Sequence, residues 1–315
     1  MSGGAWDCPV TSAGGRHAAR RRAAVALAGY LLGLSGGAMA KPVTVADLLA
    51  DSPAADWRAP DPEDTLYLEL PRGRVVVELA ARVAPQHVAN LRALARAHYF
   101  DGLAIVRVQD NYVVQWDDQE HHRPVPVNVR AAVEFTAADG ADSRFEPLPD
   151  RDVYAPQVGF LDGFPAARDP RSHLVWLAHC YGMVGAGRDD PPESDGTELY
   201  AVIGNAPRQL DRNVALVGRV LKGMEFLSSL PRGSGEMGFY AASEPAVPIR
   251  SVRMAADVPN AERTAIEVLR TNSATFRAVL DQRRERHEPW FKFSPDHIDL
   301  CNVPLPVREP PPPAR

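Results

Sequence analysis

Between residues 64 and 256 the sequence keeps returning to short apolar–polar alternations broken by turn residues, and it leaves room for only two helices. That pattern narrows the fold more than any other feature. Leu66, Leu68 and Leu70 alternate with Tyr67 and Glu69, as a half-buried strand does. Pro71-Arg72-Gly73 is a turn and Arg74 to Leu79 is a second strand, so the two read as a hairpin. Ala84 to Ala97 reads as a helix, with Pro85 in its first turn and Val88, Leu91, Leu94 and Ala95 on one face. Leu103 to Val108 and Tyr112 to Trp116 read as strands, as do Glu198 to Ile203, Ala215 to Val220 and Ile249 to Met254, with a short helix at Met224 to Leu230. The expected class is mainly β: a closed antiparallel β-barrel capped by two helices, plus a C-terminal helical extension.

The flanks read differently. Arg16, Arg20, Arg21 and Arg22 precede a mostly apolar run from Ala23 to Leu34, and Ala38-Met39-Ala40 offers small residues before Lys41. This is the layout of a secretory signal peptide, and the apolar run is too short to span a bilayer comfortably. We expect cleavage after Ala40, a periplasmic or secreted product, and no membrane span once the signal is removed. Residues 41–63 form an N-terminal segment and linker. Residues 117–172, dominated by Pro, Asp and Arg, read mostly as a long loop inserted in the 64–256 domain. In the 257–315 extension Asn260 is a candidate cap for a helix from Ala261, with Ile266, Leu269, Phe276 and Leu280 at roughly helical spacing. That helix is expected to end in the charged run Arg283 to Arg286, before a proline-rich tail.

Composition excludes some functions. A net charge of −5 offers no basic excess for a nucleic-acid partner. The three cysteines, Cys8, Cys180 and Cys301, contain no CxxC pair that would suggest zinc. Export would leave Cys180 and Cys301, which can pair only if the fold brings their Cα atoms close. His121-His122 beside Asp117, Asp118 and Glu120 reads as solvated loop rather than a metal site. Gly182 to Gly187 lacks the Lys-Ser/Thr of a phosphate loop and reads as turn material.

The most informative residues lie between Tyr99 and Asp118. Tyr99-Phe100-Asp101-Gly102 precedes a strand ending in Arg107; Tyr112 follows five residues later and Gln115 three after that. Further on come Gly196-Thr197-Glu198-Leu199-Tyr200, Leu210-Asp211, Val217-Gly218-Arg219-Val220 and Gly223-Met224. Their order and spacing resemble the cyclophilin-type peptidyl-prolyl cis-trans isomerases over residues 64 to 256. The resemblance implies catalytic roles for Arg107 and Gln115 and a proline pocket lined by Tyr112, Val113, Glu198, Tyr200 and Leu210. It implies proline-containing polypeptides as substrates. Departures from the family pattern fall at Val106, at Trp116-Asp117, at Gln209 in place of the pocket tryptophan, at Val214 in place of the histidine, and at Val184-Gly185 in place of Ala-Asn.

The chemistry suits these residue types. Rotation about an X–Pro bond crosses a barrier of about 18–20 kcal/mol set by amide resonance. No bond breaks, so no nucleophile, metal or organic cofactor is expected. A fixed cation near the proline nitrogen favours the twisted amide over the planar one, and only such differential binding lowers the barrier. Arg107 fits this role, on a strand whose Leu103 and Ile105 are expected to share its face. Gln115 is expected to orient it, and Glu198 to pair with it. Two other readings stay open: a proline-peptide binding or chaperone module with little turnover, and a scaffold built on the insertion and the extension. The oligomeric state is not readable from the sequence.

Overall fold

The computed structural model describes residues 43–120, 122–140 and 143–311. The proposed signal peptide with its cleavage site, His121 and the end of the proline tail lie outside these. Four α-helices are described: α1 (Val45–Ala50), α2 (Pro85–Arg96), α3 (Met224–Ser228) and α4 (Ala274–Glu285). The strands of the first half are β1 (Trp57–Arg58), β2 (Thr65–Leu70), β3 (Gly73–Leu79), β4 (Ala104–Val108), β5 (Val113–Asp117), β6 (Ala137–Ala138), β7 (Phe145–Pro147) and β8 (Gln157–Leu161). Then come β9 (Phe164–Asp169), β10 (Leu174–Leu177), β11 (Met183–Ala186), β12 (Leu199–Val202) and β13 (Ala215–Lys222). The last are β14 (Val247–Pro248), β15 (Ser251–Met254), β16 (Glu267–Leu269) and β17 (Val307–Arg308).

Nine strands form one curled antiparallel sheet in the order β14-β4-β5-β12-β11-β13-β3-β2-β15. Its concave face holds the first core. Leu66, Leu68 and Leu70 from β2 alternate inward as the sequence predicts, and they meet Val88, Leu91 and Leu94 of α2 and Leu227 of α3. The fold is therefore mainly β with few helices. The sheet ends at β14 and β15, which are consecutive in the chain.

The N-cap of helix α2 is Ala84, whose methyl group cannot accept a hydrogen bond. The insertion supplies the cap. Glu134 accepts from the backbone N–H groups of Gln86 at 2.8 Å and His87 at 2.9 Å, and its Oε2 lies 2.6 Å from His87 Nδ1. A carboxylate there satisfies donors that the helix cannot satisfy itself and complements its dipole. Glu134→Ala is expected to cost about 0.5–2 kcal/mol, read as a lower Tm with kcat unchanged.

The remaining strands refine one expectation and correct another. Much of 117–172 is loop as expected, but four short strands within it, β6 to β9, join β10 in a five-stranded sheet, order β6-β10-β9-β8-β7. The helix expected from Ala261 is absent. Asn260–Glu262 is a single 3-10 turn, and Glu267–Leu269 is a strand paired with β1 and β17. The helix starts only at Ala274, where the Ser273 hydroxyl accepts from the Phe276 N–H at 3.0 Å. A second core follows from this arrangement. Trp57 of the N-terminal segment, Phe160 and Trp176 of the five-stranded sheet, and Phe276, Leu280 and Leu300 of the extension are buried together. Cys180 and Cys301 are disulfide-bonded beside it, with Cα atoms 4.9 Å apart.

Candidate active site

The site is one row of residues across four adjacent strands. Register pairs Arg107 of β4 with Gln115 of β5, Gln115 with Tyr200 of β12, and Tyr200 with Gly185 of β11. The expectation that Arg107 shares a face with Ile105 is incorrect. The β4–β5 register shifts between Ile105 and Arg107, so Ile105 and Val108 point into the core while Arg107 does not. A bulge re-aims a side chain in this way by adding one residue to a strand.

Arg107 is held at all three nitrogens of its guanidinium. Nε donates to the Met237 carbonyl at 2.8 Å, Nη1 to Gln115 Oε1 at 3.1 Å, and Nη2 to Gln109 Oε1. The rings of Tyr112 and Phe239 lie 5.6 and 5.3 Å from its Cζ, within cation–π range. Burial pushes its pKa below the ordinary guanidinium value, with Tyr112 and Glu198 pulling the other way; the group remains a cation. Glu198 acts on Arg107 through its charge, and a relay of hydrogen bonds links the two. Gln115 Nε2 donates to Glu198 Oε1 at 2.8 Å and to Asp117 Oδ2 at 3.2 Å, while its Oε1 takes Arg107. An amide suits that middle position because it accepts at one end and donates at the other.

Beside the arginine lies a small apolar cluster. Val113, Tyr200 and Val202 are buried there, with Tyr112 and Val214 packed against them. Leu210 is half-buried on the 3-10 turn Arg208–Leu210 and is not among the residues of this cluster. Burial pushes the Tyr200 hydroxyl above its ordinary pKa, so it stays protonated. The glycines read as turn material serve the site instead. A Cβ on Gly185 would lie 2.3 Å from the Tyr200 ring, and one on Gly187 would lie 2.0 Å from Glu198 Oε1. These two bare backbone positions are where Tyr200 and Glu198 rest. A cavity of about 240 Å³, lined by Asp117, Asp118, Gly187 and Glu198 among others, opens next to Gln115. A larger cleft of about 370 Å³ is lined by Arg58, Glu78, Arg82 and Asp162. It contains none of the predicted site residues, and its charges include the ion pairs Arg58–Glu78 and Arg82–Asp162.

The sequence and the fold that carry this site are similar to those of known proteins. The family model for cyclophilin type peptidyl-prolyl cis-trans isomerase matches residues 65–254. The chain belongs to this family. It is 26% identical over 176 residues to a probable peptidyl-prolyl cis-trans isomerase of Brucella suis, covering 56% of this chain and 76% of that one. A protein of the same description from Brucella abortus is 25% identical over the same length. The crystal structure of the cyclophilin AquaCyp293 from Hirschia baltica matches with a TM-score of 0.66 at 25% identity, covering 85% of this chain and 98% of that one. That share exceeds the 65–254 segment, so the match includes residues outside the family domain. This cyclophilin is a peptidyl-prolyl isomerase.

Sequence reasoning missed three parts of the site. Gln109 stands two residues from Arg107 and alternation alone would have placed it on the same face. The Met237 carbonyl and the Phe239 ring come from a distant loop, and a backbone carbonyl leaves no mark in a sequence. Among the described residues no group of His, Cys, Asp or Glu is arranged to hold a metal ion, and no helix is long and apolar enough to cross a membrane.

Proposed function

We propose that this cyclophilin isomerises X–Pro bonds in exported proteins by arginine-assisted stabilisation of the twisted amide. The observation that carries the reading is the fixed guanidinium of Arg107, locked by Gln115, Gln109 and the Met237 carbonyl beside the Val113–Tyr200–Val202 cluster. Proline rings fit apolar walls. A donor that is already immobilised needs no reorganisation when the amide twists, so its field acts on the transition state. We read the curled sheet as a barrel capped by α2 and α3. Pairing of β14 with β4 and of β15 with β2, across the seam, supports that reading. The direct test is a protease-free isomerisation assay on the mature protein with several X–Pro peptides. We expect turnover. A protein that binds every peptide and accelerates none would instead be a proline-peptide binding module.

Two further expectations arise here. Gln209 is exposed and offers no ring where the family's tryptophan stands, so cyclosporin is expected to inhibit weakly; a nanomolar inhibition constant would contradict this. Export is supported by the basic, apolar and small-residue order of residues 16–40 and by the Cys180–Cys301 bond, which favours an oxidising compartment. N-terminal sequencing of cell-purified protein is expected to begin at Lys41. A cytosolic product retaining Arg20 to Arg22 would overturn it.

A further inference from the structure

Behind the apolar cluster a chain of polar side chains runs away from the pocket. The Tyr200 hydroxyl lies 2.9 Å from His179 Nε2, and His179 Nδ1 lies 2.9 Å from Asp211 Oδ1. Asp211 also accepts from the His179 backbone N–H at 2.9 Å and from Arg208 Nε at 2.5 Å. Arg208 then reaches Asp152 with both terminal nitrogens, at 3.0 and 3.2 Å. His179 is fully buried and Arg208 nearly so; the side chains of Asp152 and Asp211 are 4% and 6% exposed. Asp152 lies on the loop that joins β7 to β8, two strands of the inserted sheet. The chain therefore runs unbroken from the insertion to the floor of the pocket, and the arginine mechanism uses none of it.

The direction of each bond follows from the donors. A carboxylate only accepts, so Nδ1 carries a proton toward Asp211, which leaves Nε2 as the hydrogen-bond partner of the Tyr200 hydroxyl. The face of Tyr200 rests on Gly185, which has no side chain to stop the ring sliding. Val113 and Val202 pack against the ring, and the hydrogen bond at its tip fixes where it sits along that bare backbone. Taking Tyr200 as a wall of the proline pocket, and so resting on the isomerase reading, we infer that His179 is a positioning residue for that wall. Through Asp211, Arg208 and Asp152 the inserted sheet then sets how tightly the proline is gripped.

The test is a set of variants of the mature chain, assayed for isomerisation of an Ala-Ala-Pro-Phe peptide and for affinity toward it by titration. Tyr200→Phe is expected to raise KM about 3-fold with kcat nearly unchanged, the mark of lost binding common to ground and transition states. His179→Leu leaves the hydroxyl buried without a partner, which costs more than the bond itself, and should raise KM about 10-fold. In the double variant nothing is left unpaired, so KM should return to that of Tyr200→Phe alone. His179→Gln, whose amide reaches the same hydroxyl, should stay within about 3-fold of the parent. The inference is overturned if His179→Leu has the same effect with and without Tyr200→Phe, or if it lowers kcat and spares KM. Should His179→Leu fail to fold, Tyr200→Phe still decides: an unchanged KM overturns the tether. If the parent binds the peptide without turning it over, the isomerase reading fails while the same cycle is read in Kd. A parent that neither binds nor turns over overturns both.

Discussion

Arg107→Ala is expected to lower kcat/KM for X–Pro isomerisation by about a hundred- to a thousand-fold, with the protein still folded. One preorganised donor is worth about 2.7–4 kcal/mol when it acts on charge that develops only in the transition state. The proline nitrogen regains its lone pair as the amide twists, so loss of the cation should fall on kcat more than on KM. The guanidinium sits outside the apolar core, and its partners Gln115, Gln109 and the Met237 carbonyl can turn to water once it is removed. Arg107→Lys should recover only part of the rate. An ammonium cannot serve Met237, Gln115 and Gln109 together, as the planar fork does. The measurement is a coupling-free kinetic assay at saturating and limiting peptide, with circular dichroism to show the fold intact. Retention of most of the activity by Arg107→Ala would remove the arginine from the mechanism.

How much of this was legible beforehand depends on the distance over which each signal acts. Arg107 and Gln115 were legible because both lie on neighbouring strands only eight residues apart. Tyr200 was legible from its strand motif, but its tether to His179 was not, since no local pattern links them. The bulge at Val106 flipped the face of Arg107, a change that pure alternation cannot register. In the insertion the signal lies in a turn rather than in an alternation. Asp162-Gly163 joins β8 to β9 with φ of +51° and +93°, the conformation that Asp-Gly favours in a two-residue hairpin. Both faces of that hairpin are largely buried, so Val158, Phe160, Ala166 and Ala167 gave no apolar–polar alternation to accompany it. In the extension, Ile266 and Leu269 sit at a spacing compatible with a helix, yet pairing with Trp57 and Arg58 draws the segment into a strand. Tertiary pairing overrode a weak local preference.

Removing the Cys180–Cys301 bond should be the largest single loss of stability available without touching the site. The bond closes a loop with a sequence separation of 121. For loops of this length the chain-entropy model gives about 4.7 kcal/mol, and native disulfides in small domains are commonly worth about 2–5 kcal/mol. Cys180→Ser with Cys301→Ser should therefore move the urea midpoint down and steepen the slope, because the unfolded chain loses a crosslink and exposes more surface. The same shift is expected when the unaltered protein is measured with a reductant. Equal midpoints with and without the bond would show that packing of Leu300 and Phe276 alone holds the extension.

The second core also bears on when the molecule can finish folding. Its strand pairing joins Trp57 to Leu269, and its cluster joins Trp57 to Ile298, Leu300 and Val303. Contacts so far apart in the chain give it a high contact order, and such contacts form slowly because loop closure must precede their reward. The nine-stranded sheet needs nothing beyond Met254. During synthesis it can assemble first, leaving the faces of Trp57, Phe160 and Trp176 uncovered until residues 274–303 emerge. A nascent chain stalled before Ala274 would carry a complete isomerase row above an open apolar surface, the state in which this protein is most exposed to aggregation and to chaperones.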